Sequence, residues 1–382
     1  MASRRGVLKI GSAALLLTAA GSAAAWALTR APKAAQAPWD AAAKGFGDAR
    51  LDALAYAILA PNPHNMQPWR VRLTGEDAFT LHADPARLLP ETDPFSRQIV
   101  IGFGAFLELF RQAAAEKGAR AEIALFPEGE PKPYLDARPI AHVRLVADSS
   151  APRDPLFGHA LARRTNRNPF EKRAVDATIL ERIKSAAVPG VFADAVADAA
   201  RLAEVKKLAD DAWRIEWGLD RTRRETIKVT RVGRREIEEN PYGIALAGPL
   251  LEALGGLGVL TRENMDDPDS TAYEQTLANY SAAIVATPAF LFSITSTNTR
   301  ADQIEAGRSW VRMQLAAAGE GLAFHPLSQA LQEFPEMEEP YRRAHALLAS
   351  GGGIVQMLAR VGYAGDAPPA PREPLAARLL KG

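Results

Sequence analysis

Two short segments concentrate the side chains able to hold a polar ligand. The first, Ala60-Pro61-Asn62-Pro63-His64-Asn65-Met66-Gln67-Pro68-Trp69-Arg70, joins an apolar helical stretch to a strand-like one. Its prolines fix the backbone, and Asn62, Asn65 and Gln67 offer amide donors and acceptors that suit a planar heterocycle with both kinds of edge group. The second, Arg163-Arg164-Thr165-Asn166-Arg167-Asn168-Pro169-Phe170, precedes another helical stretch. Arginine pairs phosphate oxygens in bidentate fashion and threonine adds a hydroxyl donor, so this cluster suits a phosphomonoester. Each segment taken singly also reads as an ordinary feature, a stiff polar turn and a solvated basic turn. His64 adjoins the first loop and could donate toward a substrate, or simply be a neutral loop histidine; His325 before Pro326 reads as structural. The other histidines lack ligand spacing, so no metal site is expected.

Composition narrows the chemistry further. Cysteine is absent from the 382 residues, which removes disulfides, thiolate nucleophiles, Cys-ligated zinc and iron–sulfur clusters together. Lys plus Arg number 46 against 45 Asp plus Glu, a formal +1 that gives no electrostatic case for a nucleic-acid partner. With 47% apolar and 24% charged residues, the chain has the means for a sizeable globular core in one large domain or two ordinary ones. The chemistry therefore rests on other side chains or on a borrowed cofactor.

Periodicity supplies the elements that must position these segments. Leu51, Leu54, Ala55, Ile58 and Leu59 form one helical face that stops at Pro61, and strand-like runs follow at Trp69 to Leu73 and Phe79 to His82. A helix is expected from about Arg97 to Lys117, with Phe103, Phe106, Leu107 and Phe110 buried and Gly118 as its stop. Strands near Ala121 to Phe126 and Ile140 to Val146 complete the set. After the turn-rich Ala147 to Pro155 the programme restarts. Gly104 to Gly118 and Gly307 to Gly321 enclose equal lengths, with Ala113 to Ala115 and Ala316 to Ala318 at the same offset, either as a repeat or as two Ala-rich helices alike by composition. Helices ending at Pro61 and Pro189 are offset by 128 residues and the later glycines by 203, so the second half holds about 75 extra residues. They fall in a stretch of about 200–275 that carries Trp213, Trp217 and a basic run from Arg221 to Arg235. An insertion of this length is expected to be a helical lid or partner surface, or else a helical excursion packed on the flank.

The amino terminus reads as an address. Ser3-Arg4-Arg5-Gly6-Val7-Leu8-Lys9 precedes a mild Ala/Leu/Gly run from Ile10 to about Ala27 without an acidic residue. It resembles a twin-arginine signal peptide over 1–27, with Val7 where Phe is usual and Ala25-Trp26-Ala27 as cleavage site; an uncleaved membrane anchor is the other reading. The twin-arginine export machinery would then be a partner and the location periplasmic or cell-envelope. Residues 28–48 are expected to be a linker without a core-facing stripe.

Together the two polar motifs resemble the nitroreductase-like FMN family, in which an R-R-S-x-R start and an A-P-S-x-x-N-x-Q-P-W loop recur. Gly307 to Gln329 is similar to the family's glycine-rich helix and following loop, and Gly362-Tyr363 with Pro371-Arg372-Glu373-Pro374 to its terminal strand and tail. The doubled layout resembles the Acg-type subgroup. The resemblance implies an α+β, nitroreductase-like fold: pseudo-repeated halves at 49–150 and 151–382 mimic the family dimer within a monomer, with the lid inserted in the second. It also implies one composite FMN site, because the first half lacks an arginine cluster and the second has Ala187-Val188-Pro189-Gly190 where its loop should be. By resemblance, Arg163, Arg164, Thr165 and Arg372 would hold the phosphate, and Asn62, Pro63 and Asn65 would contact the ring. Arg167 would stabilise the anion formed at the N1/O2 edge, and the loop of Leu327, Ser328 and Gln329 would offer an N–H near N5. Asn62-Pro63 and Thr165 depart from the family's serines. The implied activity is reduction of an electron-poor small-molecule acceptor by an unidentified donor. The alternative is a protein that binds or sequesters FMN without turnover, since reductase activity is in doubt for the subgroup.

Overall fold

The computed structural model describes residues 31–380; the signal over 1–27 and the first residues of the expected linker lie outside them. Helix α1 (Lys33–Lys44) opens the described chain and buries Ala35, Pro38, Trp39 and Ala42. This corrects the reading of 28–48 as a linker without a stripe: Ala35, Trp39 and Ala42 recur at i, i+4 and i+7, a spacing masked by Pro38 inside the helix. Helix α2 (Ala49–Ala57) follows, capped by the Asp48 carboxylate, which accepts from the Arg50 and Leu51 N–H groups.

Strands β1 (Trp69–Thr74) and β2 (Ala78–Ala83) make a tight antiparallel hairpin. The 20-residue helix α3 (Arg97–Glu116), β3 (Ala119–Leu125) and β4 (Ala141–Ala147) complete an antiparallel sheet in the order β1-β2-β4-β3. After α4 (Ala177–Lys184), the second sheet is built from β5 (Phe192–Val196), β8 (Ala289–Thr295), β9 (Ala323–Pro326) and β10 (Ile354–Gly362) in the order β5-β8-β10-β9. Its four strands thus stand in the same relative order as the first four. Helix α11 (Arg300–Gly319) joins β8 to β9 as α3 joins β2 to β3, also with 20 residues, and Gly118 and Gly321 end the two helices at φ 68° and 69°. The protein is α+β.

The two long helices cross at glycine, and each feeds the core behind the other. Ile304, Val311 and Leu315 of α11 pack with Phe79, Phe103, Phe106 and Phe110 against the first sheet. Ile101 of α3 packs with Trp310, Met313 and Phe324 against the second. Where β1 and β2 are joined by a turn, β5 and β8 are separated by residues 197–288. This connection contains α5 (Ala199–Gly218), α6 (Asp220–Lys228), α7 (Gly233–Glu239), α8 (Pro249–Gly256), α9 (Arg262–Asp266) and α10 (Thr271–Val285). A two-stranded parallel ribbon of β6 (Thr230–Val232) and β7 (Ile244–Leu246) lies within it. Trp213, Trp217, Ile227 and Met265 sit in one hydrophobic cluster with Phe290 and Phe292 of the sheet, so much of the connection is packed core. Among the described residues no helix is long and apolar enough to cross a membrane.

Candidate functional site

The loop after α2 is held in a costly conformation. His64, Asn65 and Gln67 have φ of 46°, 55° and 53°, a region in which non-glycine residues cost about 1 kcal/mol or more each. Surrounding hydrogen bonds enforce it. Asn62 Oδ1 accepts from the Gln67 N–H at 2.7 Å, and Asn62 Nδ2 donates to Ala60 O at 3.1 Å. Asn65 Nδ2 donates to Gly243 O and Pro371 O at 3.2 and 3.1 Å, while its Oδ1 accepts from Arg372. Gln67 Nε2 donates to Pro241 O at 2.8 Å and Gln67 Oε1 accepts from the Glu373 N–H at 2.9 Å. Three distant parts of the chain, the α2 end, the insertion and the tail, therefore fix one loop.

The arginine run lies beside that loop. Arg163 donates from Nη2 to Leu59 O at 3.0 Å and from Nη1 to Gln314 Oε1 at 3.2 Å, and its buried Nε has no partner. Arg164 donates to the carbonyls of Leu161 and Arg163 at 2.7 and 2.8 Å. Arg372 donates to Ile58 O, Leu59 O and Ala60 O at 2.9, 3.0 and 3.0 Å. Among the described residues none of these three guanidiniums is hydrogen-bonded to a carboxylate. Burial, with Arg164 adding its charge, pushes the Arg163 pKa down to about 9, and burial with Arg163 lowers that of Arg372 well below the usual value. Buried like charges without an anion are a standing electrostatic demand for one. Thr165 follows, half-buried.

Further along, Arg167 and His64 share an unusual state. Solvent reaches both, yet each is set deeply enough among protein atoms that desolvation dominates its titration. The Arg167 charge acts on His64, so the two side chains are neighbours. Desolvation and the nearby Arg167 charge take the His64 pKa down to about 4, so the ring is neutral at pH 7, and its buried Nδ1 has no partner. The segment around Arg167 is fixed by Arg360 of β10, which donates to the carbonyls of Asn166 and Asn168 at 3.3 and 2.8 Å and to His325 Nδ1 at 2.9 Å. His325 is thus a neutral acceptor within the fold, as its structural reading expects.

Several expected ligand contacts are otherwise engaged. The Leu327 N–H donates to Leu358 O at 2.8 Å, continuing the β9–β10 ladder, and its side chain is buried, so it has no donor for a ring nitrogen. Ser328 Oγ contacts Met357 Sδ at 3.5 Å. Gln329 Nε2 donates to Tyr280 Oη at 3.0 Å. The Asn65 amide and the Arg372 donors are likewise taken up by protein groups, which makes both framework residues of the loop instead of direct ligands. The loop and the arginine run are brought together by Arg163, bonded to Leu59 O, and by Arg167, whose charge acts on His64.

Sequence reasoning missed Trp39 and Tyr280. Tyr280 of α10 stacks on Trp213 at 4.2 Å between ring centroids and stands edge-on to His325 at 5.7 Å. Burial pushes its pKa up to about 12, with the Glu216 charge acting in the same direction. Its spacing from Tyr273, two helical turns, was a usable signal. Trp213 and Trp217 are buried and form no free lid surface; they stack in sequence on Tyr280. Among the described residues no cluster of three or more His, Asp or Glu could hold a metal ion.

No family model matches the chain. Over 123 residues it is 32% identical to the Acg protein of Mycobacterium tuberculosis, which carries a provisional NAD(P)H nitroreductase name; the match spans 32% of this chain and only 36% of that relative. A second M. tuberculosis protein with the same kind of provisional name is 28% identical over 344 residues, covering 84% of this chain and 88% of its own length. Among solved structures, the FMN-dependent nitroreductase NfnB of Mycobacterium smegmatis in complex with NADPH is 18% identical at a TM-score of 0.34, covering 56% of this chain and 92% of that one. A nitroreductase with bound FMN from Bacteroides fragilis is 15% identical at a TM-score of 0.32, covering 56% and 91%. Both superpositions are loose.

Proposed function

We propose that this chain is a nitroreductase-like flavoprotein that binds one FMN and reduces an electron-poor organic acceptor. The observation that carries the reading is the meeting of the strained Asn62-Pro63-His64 loop with the Arg163–Arg167 run, one after each long stretch of fold. The fit to FMN rests on the donors present. A cluster of guanidiniums with no carboxylate hydrogen-bonded to it, only the Asp366 charge nearby, and an orphaned Arg163 Nε suits a phosphate, and the orphaned His64 Nδ1 suits a polar ring edge. In this reading the two sheets with their crossing helices are pseudo-repeated halves that stand in for a dimer, and the connection between β5 and β8 is the inserted lid. The relatives' names, the coverage of the longer match and the twofold strand order support it.

The mechanism follows from this chain's own groups. FMN, when bound, supplies reversible two-electron chemistry. Arg163, Arg164 and Thr165 bind its phosphate by charge-assisted hydrogen bonds. Asn62 and Pro63 would contact its ring, and Arg167, its flanking carbonyls held by Arg360, would place fixed positive charge where it stabilises negative charge as it develops. Neutral His64 can accept or donate a hydrogen bond without adding a second cation. Tyr280, kept protonated by burial, offers a phenolic proton that Gln329 orients.

A second reading, storage of FMN without turnover, is favoured by one observation: the insertion is bound to the ring loop itself. Asn65 and Gly243 exchange hydrogen bonds at 3.0 and 3.2 Å, and Gln67 reaches Pro241. The Arg87 guanidinium sits 3.2 Å from the Tyr242 ring centroid. We assign the chain to the cell envelope through its twin-arginine segment. Purified protein should release about one FMN per chain on denaturation, and its spectrum should bleach with NADPH if it turns over but only with dithionite if it stores. A colourless chain, or two flavins per chain, would overturn the composite-site reading.

A further inference from the structure

Helix α1, the first among the described residues, supplies something the arginine cluster otherwise lacks. The Arg164, Arg163 and Arg372 guanidinium carbons lie 4.9, 5.5 and 5.8 Å from the centroid of one ring, that of Trp39. Cations within about 6 Å of an indole face are attracted by its quadrupole, and more strongly where water is excluded. Trp39 is 5% exposed, and Arg163 and Arg372 are each 2% exposed. In-plane donors of Arg163 and Arg372 are taken by the carbonyls closing α2 together with Gln314, Asn65 and Pro371, whereas the indole contributes a neutral, electron-rich surface that makes no demand on those donors. Trp39 is itself fixed. Its Nε1 donates to Ala370 O at 2.8 Å, Gln36 Nε2 donates to Pro369 O at 3.1 Å, and the Arg372 N–H donates to Ala35 O at 2.8 Å. Helix α1 and the tail segment that carries Arg372 thus brace each other over the cluster.

We propose that Trp39 is a positioning residue of the phosphate-binding end: its indole gathers the three guanidiniums without consuming a donor, so that Arg372 stays in the framework while Arg164 and the free Nε of Arg163 remain available to the phosphate of FMN. A carboxylate in its place would neutralise the cluster and compete with the ligand; an aliphatic side chain would leave the cations to repel one another. The proposal rests on the FMN reading, and it makes helix α1, which directly follows the export segment, part of the cofactor site.

The test uses the full chain with Trp39→Leu and Trp39→Phe, titrated with FMN and with riboflavin, which has the ring but no phosphate. Trp39→Leu should raise the FMN dissociation constant about tenfold, Trp39→Phe about two- to fourfold, and neither should change riboflavin binding. An equal rise for both flavins, or none for FMN, overturns the proposal. Should Trp39→Leu fail to fold, Trp39→Phe decides by the same criterion. Thermal stabilisation by inorganic pyrophosphate separates this proposal from the flavin reading. If the unaltered chain binds neither flavin but is stabilised by pyrophosphate, and Trp39→Phe weakens that effect, the flavin reading falls and the role of Trp39 stands. No pyrophosphate effect in the unaltered chain, with no flavin bound, overturns both.

Discussion

Gly104 of α3 and Gly307 of α11 meet where the two long helices cross: a Cβ on Gly104 would lie 2.1 Å from Ile304 O, and one on Gly307 would lie 1.9 Å from Ile101 O. Both clashes involve backbone, so neither can be relieved by a rotamer change. The two isoleucines and the two glycines each stand 203 positions apart, so each half offers the same Ile-x-x-Gly face to the other. Gly104→Ala or Gly307→Ala should force the helices apart and cost at least about 3 kcal/mol. Gly218, whose Cβ would meet nothing within 4 Å, should tolerate alanine with a change under about 0.5 kcal/mol. Urea unfolding of the three variants checks this; equal midpoints would mean the crossing is looser than the structure has it.

The two helices were legible in the sequence, α3 by its periodic apolar face and both by their matching alanines and closing glycines, signals local to each element; their crossing was not, because it depends on contacts between halves. Strands β1 to β4 fall within two residues of their expected bounds for the same reason. Helix α1 was not legible, since Pro38 and a run of alanines and lysines look like linker composition until Trp39 is seen to meet three arginines. The stretch expected at about 200–275 falls within the β5–β8 connection of 197–288, whose ends were not legible because α5 and α10 carry core-facing aromatics like any other helix of the fold. The ring-loop and arginine motifs were visible as residue types. The destinations of the Arg372, Asn65 and Leu327 donors were not, because backbone carbonyls at 58–60, 243, 358 and 371 leave no mark on side-chain identity.

Glu108, fully buried on α3, ties the same two helices electrostatically. It accepts from Arg111 on its own helix at 2.6 Å and from Arg308 and Arg312 of α11 at 3.1 and 2.9 Å, with Asp154 close to Arg111 and Arg312. Burial alone would raise its pKa, but the three arginines hold it down at about 2 from 4.5. A depressed carboxylate stabilises the fold above its unfolded pKa, and that contribution, on the order of 3 kcal/mol, is lost as pH falls from about 4.5 toward 2. Glu108→Gln should flatten this acid-side slope and lower stability at pH 7 by roughly 3 kcal/mol, because it removes the buried charge that three guanidiniums share and leaves them only Asp154 and Glu305. An unchanged slope in denaturation midpoints against pH would assign the acid sensitivity elsewhere.

Arg164 is the half-buried member of the guanidinium cluster, bonded only to carbonyls of its own turn, and so is free to reorient toward a phosphate. Arg164→Ala should weaken FMN binding ten- to a hundredfold, the equivalent of about 1.5–3 kcal/mol for a charge-assisted contact. Riboflavin binding and apo stability should hardly change. Equal loss for both flavins would show that the cluster does not hold the phosphate.

In the proposed twin-arginine route a receptor reads the paired arginines. Arg4→Lys with Arg5→Lys should therefore leave folded, flavin-loaded protein in the cytoplasmic fraction of the producing cell. Unchanged export in cell fractionation would identify a general secretory signal or an anchor.

Turnover and storage differ in how freely a donor reaches the flavin ring, and the insertion is the element that decides it. Removing residues 216–269 whole is a poor test, because it takes Trp217, Ile227 and Met265 out of the core and should unfold the second half. The clamp is better loosened at Tyr242, whose ring lies under Arg87 at 3.2 Å and packs with Met66, Leu89 and Val229 beside the ring loop. Hydride transfer needs the donor carbon within roughly 3–3.5 Å of the acceptor atom, so any segment fixed over the ring must move for each turnover. Under the storage reading, Tyr242→Ala should keep its FMN and be reduced by NADPH several-fold faster than the unaltered chain in anaerobic stopped flow. Under the reductase reading the unaltered chain is already reduced readily. The variant should then be slower, since the Pro241–Gly243 strap that fixes Asn65 and Gln67 helps to build the donor site.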